Sequence, residues 1–212
     1  MSVAQAIYGA VGKGHSLIAA SPGAATLAPR IVGRTDLPNT APPGVQWTRY
    51  ESLFVHDGHL CVSRTWPDPT AERAGMVFTH ALLVPWAEAA ALDDLNALAT
   101  LLPAVPLRTQ SLTELDIAAT SVPSGPTGHD LMLMDAMLGS DDAHPIVWLG
   151  ETGLLEAVAE IWRFLPGNLR KGVSLRISFG PDDVQANPPR FVSTPRSLTA
   201  RWQGRTVIDP TV

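Results

Sequence analysis

The stretch Arg73 to Leu102, RAGMVFTHALLVPWAEAAALDDLNALATLL, constrains the fold more than any other. Met76 to Val84 is apolar throughout except for Thr79 and His80. That is the pattern of a strand covered on both faces, and Pro85 ends it by removing a ladder donor. Trp86, Ala89, Ala90, Leu92, Leu95, Leu98, Ala99 and Leu102 then recur at three- and four-residue spacing, which predicts one helix stopped by Pro103. This strand and helix are the longest apolar pair in the chain and are expected at the centre of the core.

On either side the chain divides into short elements. Val3 to Tyr8 and Ser16 to Ala20 flank GAVGKGH, a connection too short for a crossover, so a hairpin is predicted. Gly9, Gly12 and Gly14 lack the Walker spacing and the GK[ST] ending, and a phosphate loop is not favoured. Ala24 to Val32 suggests a short helix, and Leu37 to Gly44 a Pro-rich loop. Gln46 to Val55 and Leu60 to Trp66 surround Asp57-Gly58, a strong two-residue turn signal. Pro103 to Gly128 is Ser-, Thr- and Pro-rich and reads as a loop over the core, with order only in Leu112 to Ala118. A short helix over Asp130 to Leu138 and a strand at Ile146 to Leu149 follow. Thr152 can cap a helix running to Leu165, and Pro166-Gly167 ends it. Val173, Leu175, Ile177 and Phe179 alternate with polar residues as a half-buried strand does. Arg190 to Val192 suits an extended piece, and Gln203-Gly204 a small hairpin within Leu198 to Ile208. Together these predict an α+β fold, a mainly antiparallel sheet with N-terminal hairpins and helices packed on it, in one domain over 1–212.

Composition narrows the function classes. A net charge of -5 offers no electrostatic footprint for a phosphate backbone, so nucleic acid is not an expected partner. Cys61 is the single cysteine, which removes disulfide frameworks and thiolate metal clusters and suits a reducing compartment. No basic region precedes the first apolar run and no run is long enough to span a bilayer, so the cytoplasm is the expected location. GxSxG, HExxH, CxxC and Walker patterns are absent, and no catalytic residue or cofactor is assigned.

Five residues stand out as candidates for binding a ligand or partner: His15, Arg64, Trp66, Arg73 and His80. His80 sits within the apolar strand, where an imidazole needs partners for both nitrogens; a satisfied core histidine is the simpler reading. Arg64, Trp66 and Arg73 bracket the polar connection TWPDPTAER. Trp and Arg are the residues most enriched in interface hot spots, which makes this corner a docking candidate. The competing reading has Trp66 capping the core and the arginines solvated. His56 and His59 flank the hairpin turn and could face each other across the strands, but two imidazoles leave a metal shell open, and no metal site is predicted there.

GHSLIAAS (Gly14 to Ser21), RTDLP (Arg34 to Pro38), SRTWPDP (Ser63 to Pro69), RAGMVFTHALLV (Arg73 to Val84) and IWRFLPGNLRKGVSLRISF (Ile161 to Phe179) occur in one order across most of the chain. In these the chain resembles the type 1 N-terminal domain of GTPase-associated protein 1, a family of bacterial NTPase-centred conflict systems. It departs from that pattern at Val77, where the family has an aromatic, and at Val11 to Lys13. The resemblance implies a non-enzymatic module, at the N-terminus of a larger protein or as a stand-alone adaptor, with a role in sensing or assembly during defence. Its expected partners are proteins, among them a GTPase or other NTPase encoded nearby. The alternative is an enzyme or ligand-binding domain whose site is assembled from scattered residues. That reading requires His15, Arg64, Arg73 and His80 to converge on one concave site.

Overall fold

The computed structural model describes residues 1–117, 128–140, 143–184 and 188–211. Its strands are β1 (Ser2–Val11), β2 (Gly14–Ala20), β3 (Tyr50–His56), β4 (His59–Pro67), β5 (Val77–Pro85), β6 (Leu115–Asp116), β7 (Ile146–Leu149), β8 (Leu175–Ile177), β9 (Phe191–Thr194) and β10 (Val207–Ile208). They form one mixed sheet in the order β10-β7-β9-β8-β3-β4-β5-β1-β2, with β6 added against β1. The half from β3 to β2 is antiparallel, and β10, β7, β9 and β8 pair in parallel. The α+β expectation with a mainly antiparallel sheet therefore holds.

The two tight hairpins follow from local chemistry. Asp57 (φ 45°) and Gly58 (φ 72°) both take the left-handed conformation that the β3–β4 turn demands, and Asp-Gly reaches it at low cost. The β1–β2 hairpin is longer than its apolar runs suggested, because Val11 pairs with Gly14 and leaves only a tight turn, with Gly12 at φ 59°. β5 lies between β4 and β1 and is buried from Val77 to Val84. Its Leu82 and Val84 join the largest core cluster, while Ala81 and Leu83 join the cluster on the opposite face. Coverage of both faces is what its uninterrupted apolar sequence required.

The face bearing Leu82 is covered by α1 (Trp86–Ala89), α2 (Asn96–Ala99), α3 (His129–Gly139) and α4 (Leu154–Trp162), with α5 (Gly167–Arg170) following α4. The other face is covered at β1, β3, β4 and β5 by Pro22 to Arg34, where two 3₁₀ turns, Pro22–Ala24 and Ala28–Arg34, stand in place of the single short helix expected over Ala24 to Val32.

Several sequence expectations are corrected. The single helix over 86–102 is two short helices separated by residues 90–95. Asp94 turns the chain into the second, its Oδ1 accepting from the Asn96 N–H at 2.9 Å, while Leu95 holds the N-cap position. Carbonyls in the break are taken by tertiary donors: Trp162 Nε1 donates to Leu92 O, and Arg170 Nη1 to Ala90 O and Leu92 O. These bonds stabilise an interruption that apolar spacing alone cannot reveal. Thr152 is not the cap of α4; that position is Gly153 at φ 87°, and the Thr152 carbonyl instead receives Trp148 Nε1. No hairpin forms at Gln203-Gly204. Arg196–Trp202 is a 3₁₀ segment, and Val207–Ile208 runs parallel to β7. The loop expected over 103–128 is anchored over 103–117; its remainder, 118–127, lies outside the described residues.

Candidate functional site

His15, Arg73, Arg64 and His80 do not converge. Adjacent residues on a strand point to opposite faces, so Thr79 and His80 on β5 belong to different neighbourhoods, as do Arg64 and Thr65 on β4. Arg64, His80 and Glu51 lie on the helix-covered face, and His15 lies on the other.

On the helix-covered face, cross-strand neighbours form a buried polar row. Glu51 pairs with Arg64, and Arg64 with His80, in the ladders β3–β4 and β4–β5. Arg64, 7% exposed, donates Nε to Glu51 Oε1 at 2.8 Å and Nη1 to the Leu102 and Pro103 carbonyls at 3.0 Å. His80 Nε2 meets Gln5 Oε1 at 2.8 Å, and Gln5 Nε2 donates to Thr113 O. Burial pushes the His80 imidazole down to about 4, so it is neutral at physiological pH. The row therefore anchors the segment after Leu102 to the sheet, and every contact named is made within the chain. Trp66 is also buried, 7% exposed, against Phe78, Ile7 and Leu112, with the Phe78 ring 6.4 Å away. The docking corner thus lacks the exposed aromatic that suggested it, and Trp66 caps the core.

On the opposite face, His15 and Arg73 line one open groove of about 880 Å³. Its walls are the Pro-rich loop, with Asp36 and Trp47, and the β4–β5 connection, with Asp68, Glu72 and Arg73. Below it runs a chain of hydroxyls. Thr65 and Thr79 share a hydrogen bond at 2.8 Å, Thr79 Oγ1 donates to Thr35 O, and Thr35 Oγ1 donates to Val32 O at 2.8 Å. Since the Thr35 proton is committed to Val32, the 3.0 Å contact with His15 Nε2 runs from imidazole to hydroxyl. That direction is opposite to the one an activated hydroxyl nucleophile requires. Burial lowers the His15 imidazole below its ordinary value, against the pull of Asp36 and of the Val77 and Thr35 backbone. Asp68 is committed as well: Arg108 Nη2 reaches its Oδ1 at 2.8 Å, and Arg108 also lies over the Phe78 ring. Arg73 is exposed, and its nearest polar contact is the Lys13 carbonyl at 3.5 Å.

Other reactive groups are elsewhere. Cys61 is buried in the second core cluster and its thiol is pushed up to about 12 by burial, well above a reactive range. His56 and His59 do pair across the turn, but His59 Nδ1 contacts the Asp57 carbonyl, and Asp57 is paired with Arg30 at 2.6 Å. Among the described residues no group of three His, Cys, Asp or Glu side chains is placed to hold a metal. No helix among them is long and apolar enough to cross a membrane.

Sequence reasoning named two of the groove's residues and missed Asp36, Trp47 and Glu72. The available signal was a Pro-rich loop followed by a tryptophan. Nothing local in sequence says that this loop faces residues 67–76. The search of curated proteins and that of solved structures each found no match. The Ile161 to Phe179 motif lies beyond the stretch that a family model covers. All residues lining the groove lie between His15 and Met76, and residues 2–102, just under half of the chain, match the family of GTPase-associated protein 1, N-terminal domain type 1.

Proposed function

We propose that this chain is a non-catalytic protein-interaction module of a bacterial conflict or defence system, and that the groove beside Arg73 receives a GTPase or other NTPase encoded nearby. The observation that carries this is the groove itself: an open cavity of about 880 Å³ built entirely from the family-matched stretch. The threonine hydroxyls beneath it and His15 Nε2 hydrogen-bond within the chain, and recognition is assigned to the rim, with Trp47 and Arg73. Trp and Arg combine large contact area with a directed polar group, the combination found at interface hot spots. The separation of His15 and Arg73 from Arg64 and His80 by the sheet speaks against one catalytic constellation of those four.

The test is direct titration of the purified chain with the GTPase encoded beside it, by calorimetry, with and without nucleotide. Arg73→Glu and Trp47→Ala should each weaken association by about 2 kcal/mol while the Arg73 variant keeps its melting temperature. Absence of a complex, or wild-type affinity in both variants, would overturn the reading.

A further inference from the structure

A second recess lies on the same face of the sheet, at the seam between its antiparallel and parallel halves. β3 and β8 pair through a single residue couple, Leu53 with Leu175. Beside this short ladder opens a cleft of about 150 Å³, lined by Arg34, Ser52, Phe54, Ser174 and Arg176, with Pro188 and Pro189 at its border. The two guanidiniums approach from independent elements. Arg34 comes from the end of the 3₁₀ turn laid over the sheet and sits 5.2 Å from the Phe54 ring centroid, while Arg176 rises from β8 itself.

The charge balance of the cleft differs from that of most arginines described above, the exposed Arg73 excepted. Arg30, Arg64, Arg108 and Arg196 each reach a carboxylate within 2.8 Å, and buried Arg170 donates to a set of main-chain carbonyls. Among the described residues neither Arg34 nor Arg176 is so paired within 4 Å. Asp183 is the acid whose field reaches Arg176, but its Oδ2 already accepts from the Phe179 N–H at 2.7 Å and from Ser178 Oγ, and its Oδ1 from Asn39. Burial lowers Arg176 from its ordinary value, and Arg34 adds to that effect. Two like charges at the edge of a partly desolvated recess repel, and an anion between them relieves both the repulsion and the lost hydration.

We propose that this cleft binds the phosphoryl group of a small phosphorylated ligand or of a phosphorylated side chain, with Arg34 and Arg176 as its two clamps. Planar guanidiniums match phosphate oxygens in bidentate fashion, and Ser52 and Ser174 add hydroxyls to the same lining, Ser174 Oγ accepting the Arg190 N–H at 3.0 Å and keeping its own proton to donate. The volume suits a phosphate-sized head group and is small for a whole nucleotide. The site is separate from the groove, and it stands whether or not the groove reading does.

Inorganic phosphate is titrated into the full chain at fixed ionic strength, followed by backbone amide shifts, with chloride as control and O-phosphoserine in a parallel arm. Saturable shifts at Ser52, Phe54 and Arg176 are expected with phosphate and not with chloride. Arg34→Gln, a change at an exposed side chain that should leave the fold intact, is expected to weaken binding about tenfold, as loss of one charge-assisted contact does. Arg176→Lys keeps the charge, loses the fork, and should weaken it as well. Equal affinity for the two probes assigns the site to the phosphoryl group alone; tighter phosphoserine assigns it to a phosphorylated side chain. Equal responses to phosphate and chloride, or undiminished binding by Arg34→Gln, would overturn the proposal.

Discussion

Replacing Arg64 by Ala leaves three acceptors stranded beneath the segment after Leu102: the Glu51 carboxylate and the Leu102 and Pro103 carbonyls. Glu51 is only 3% exposed, so water does not take over the missing donor. Removing one partner of a buried ion pair costs about 3–5 kcal/mol, because the other charge stays behind without its hydrogen-bonded partner; here the half-exposed Arg49, its Nε 3.8 Å from Glu51, places the cost at the lower end. The cost should depend on pH in a defined direction. Burial raises the Glu51 carboxyl above the usual range; the Arg64 hydrogen bond opposes it, Glu156 reinforces it, and the charges of Arg64 and Arg49 oppose it. A carboxyl raised in the folded state holds its proton more tightly than the unfolded chain does. Its stabilising contribution is therefore full below the unfolded value and is lost as pH rises through the folded one. Without Arg64 the folded value rises further, so the destabilisation must be larger at pH 8 than at pH 5, since lowering the pH moves Glu51 toward its neutral form, which needs no cation. Urea unfolding of wild type and variant at both pH values measures this. A double variant, Glu51→Leu with Arg64→Met, should recover most of the loss, since a well-packed apolar pair can replace a buried ion pair. A cost below about 1 kcal/mol for Arg64→Ala, or a cost independent of pH, would refute this account of the row.

His80→Ala should destabilise by about 1–3 kcal/mol in thermal or urea melts, from the small cavity and the stranded Gln5 amide oxygen. Because the folded imidazole is depressed to about 4, its contribution is present above the unfolded value and lost on acidification, so the variant's stability should fall less than wild type between pH 7 and pH 5. Trp66→Ala should cost about 3–5 kcal/mol in the same melts, as expected of a buried aromatic. Arg170→Met should cost about 3 kcal/mol, since Arg170 Nε and Nη1 serve carbonyls of Trp162, Leu165, Ala90 and Leu92, of which Leu92 would keep only Trp162 Nε1 and Trp162 only the Leu165 N–H. Cys61 should resist thiol reagents in native buffer and react at the rate of unfolding when urea is added, which a colorimetric thiol assay follows.

Features set by neighbouring residues were legible in the sequence. The β3–β4 turn needs positive φ at two adjacent positions, and Asp57-Gly58 announces that need within two letters. β5 was legible because coverage on both faces removes the polar alternation from its sequence. What stayed hidden depends on distant partners. The helical spacing across 86–102 is real, yet Trp162 and Arg170 reward a break at Ala90 to Asp94, and neither residue is near in sequence. The parallel joining of β8, β9 and β7 carries no turn signal, because the three strands meet through separate excursions of the chain. The groove was half visible for the same reason: His15 and Arg73 are conspicuous letters, whereas the approach of loop 36–47 to residues 67–76 is a fact of tertiary structure.

The narrow seam between β3 and β8 bears on how the molecule assembles in time. Strands β1 to β5 close through two tight turns and two loops, residues 21–49 and 68–76, and apart from the β1–β5 ladder each pairing joins strands consecutive in sequence, so these should form early. Until residues 146–194 arrive, β3 is an unprotected edge strand, its Leu53 presented beside open N–H and C=O groups. A nascent or truncated chain ending near Leu102 would therefore be a template for pairing with its own copies, and α4, which completes the largest core cluster, would be missing. Arrival of β8 at that edge removes the aggregation hazard.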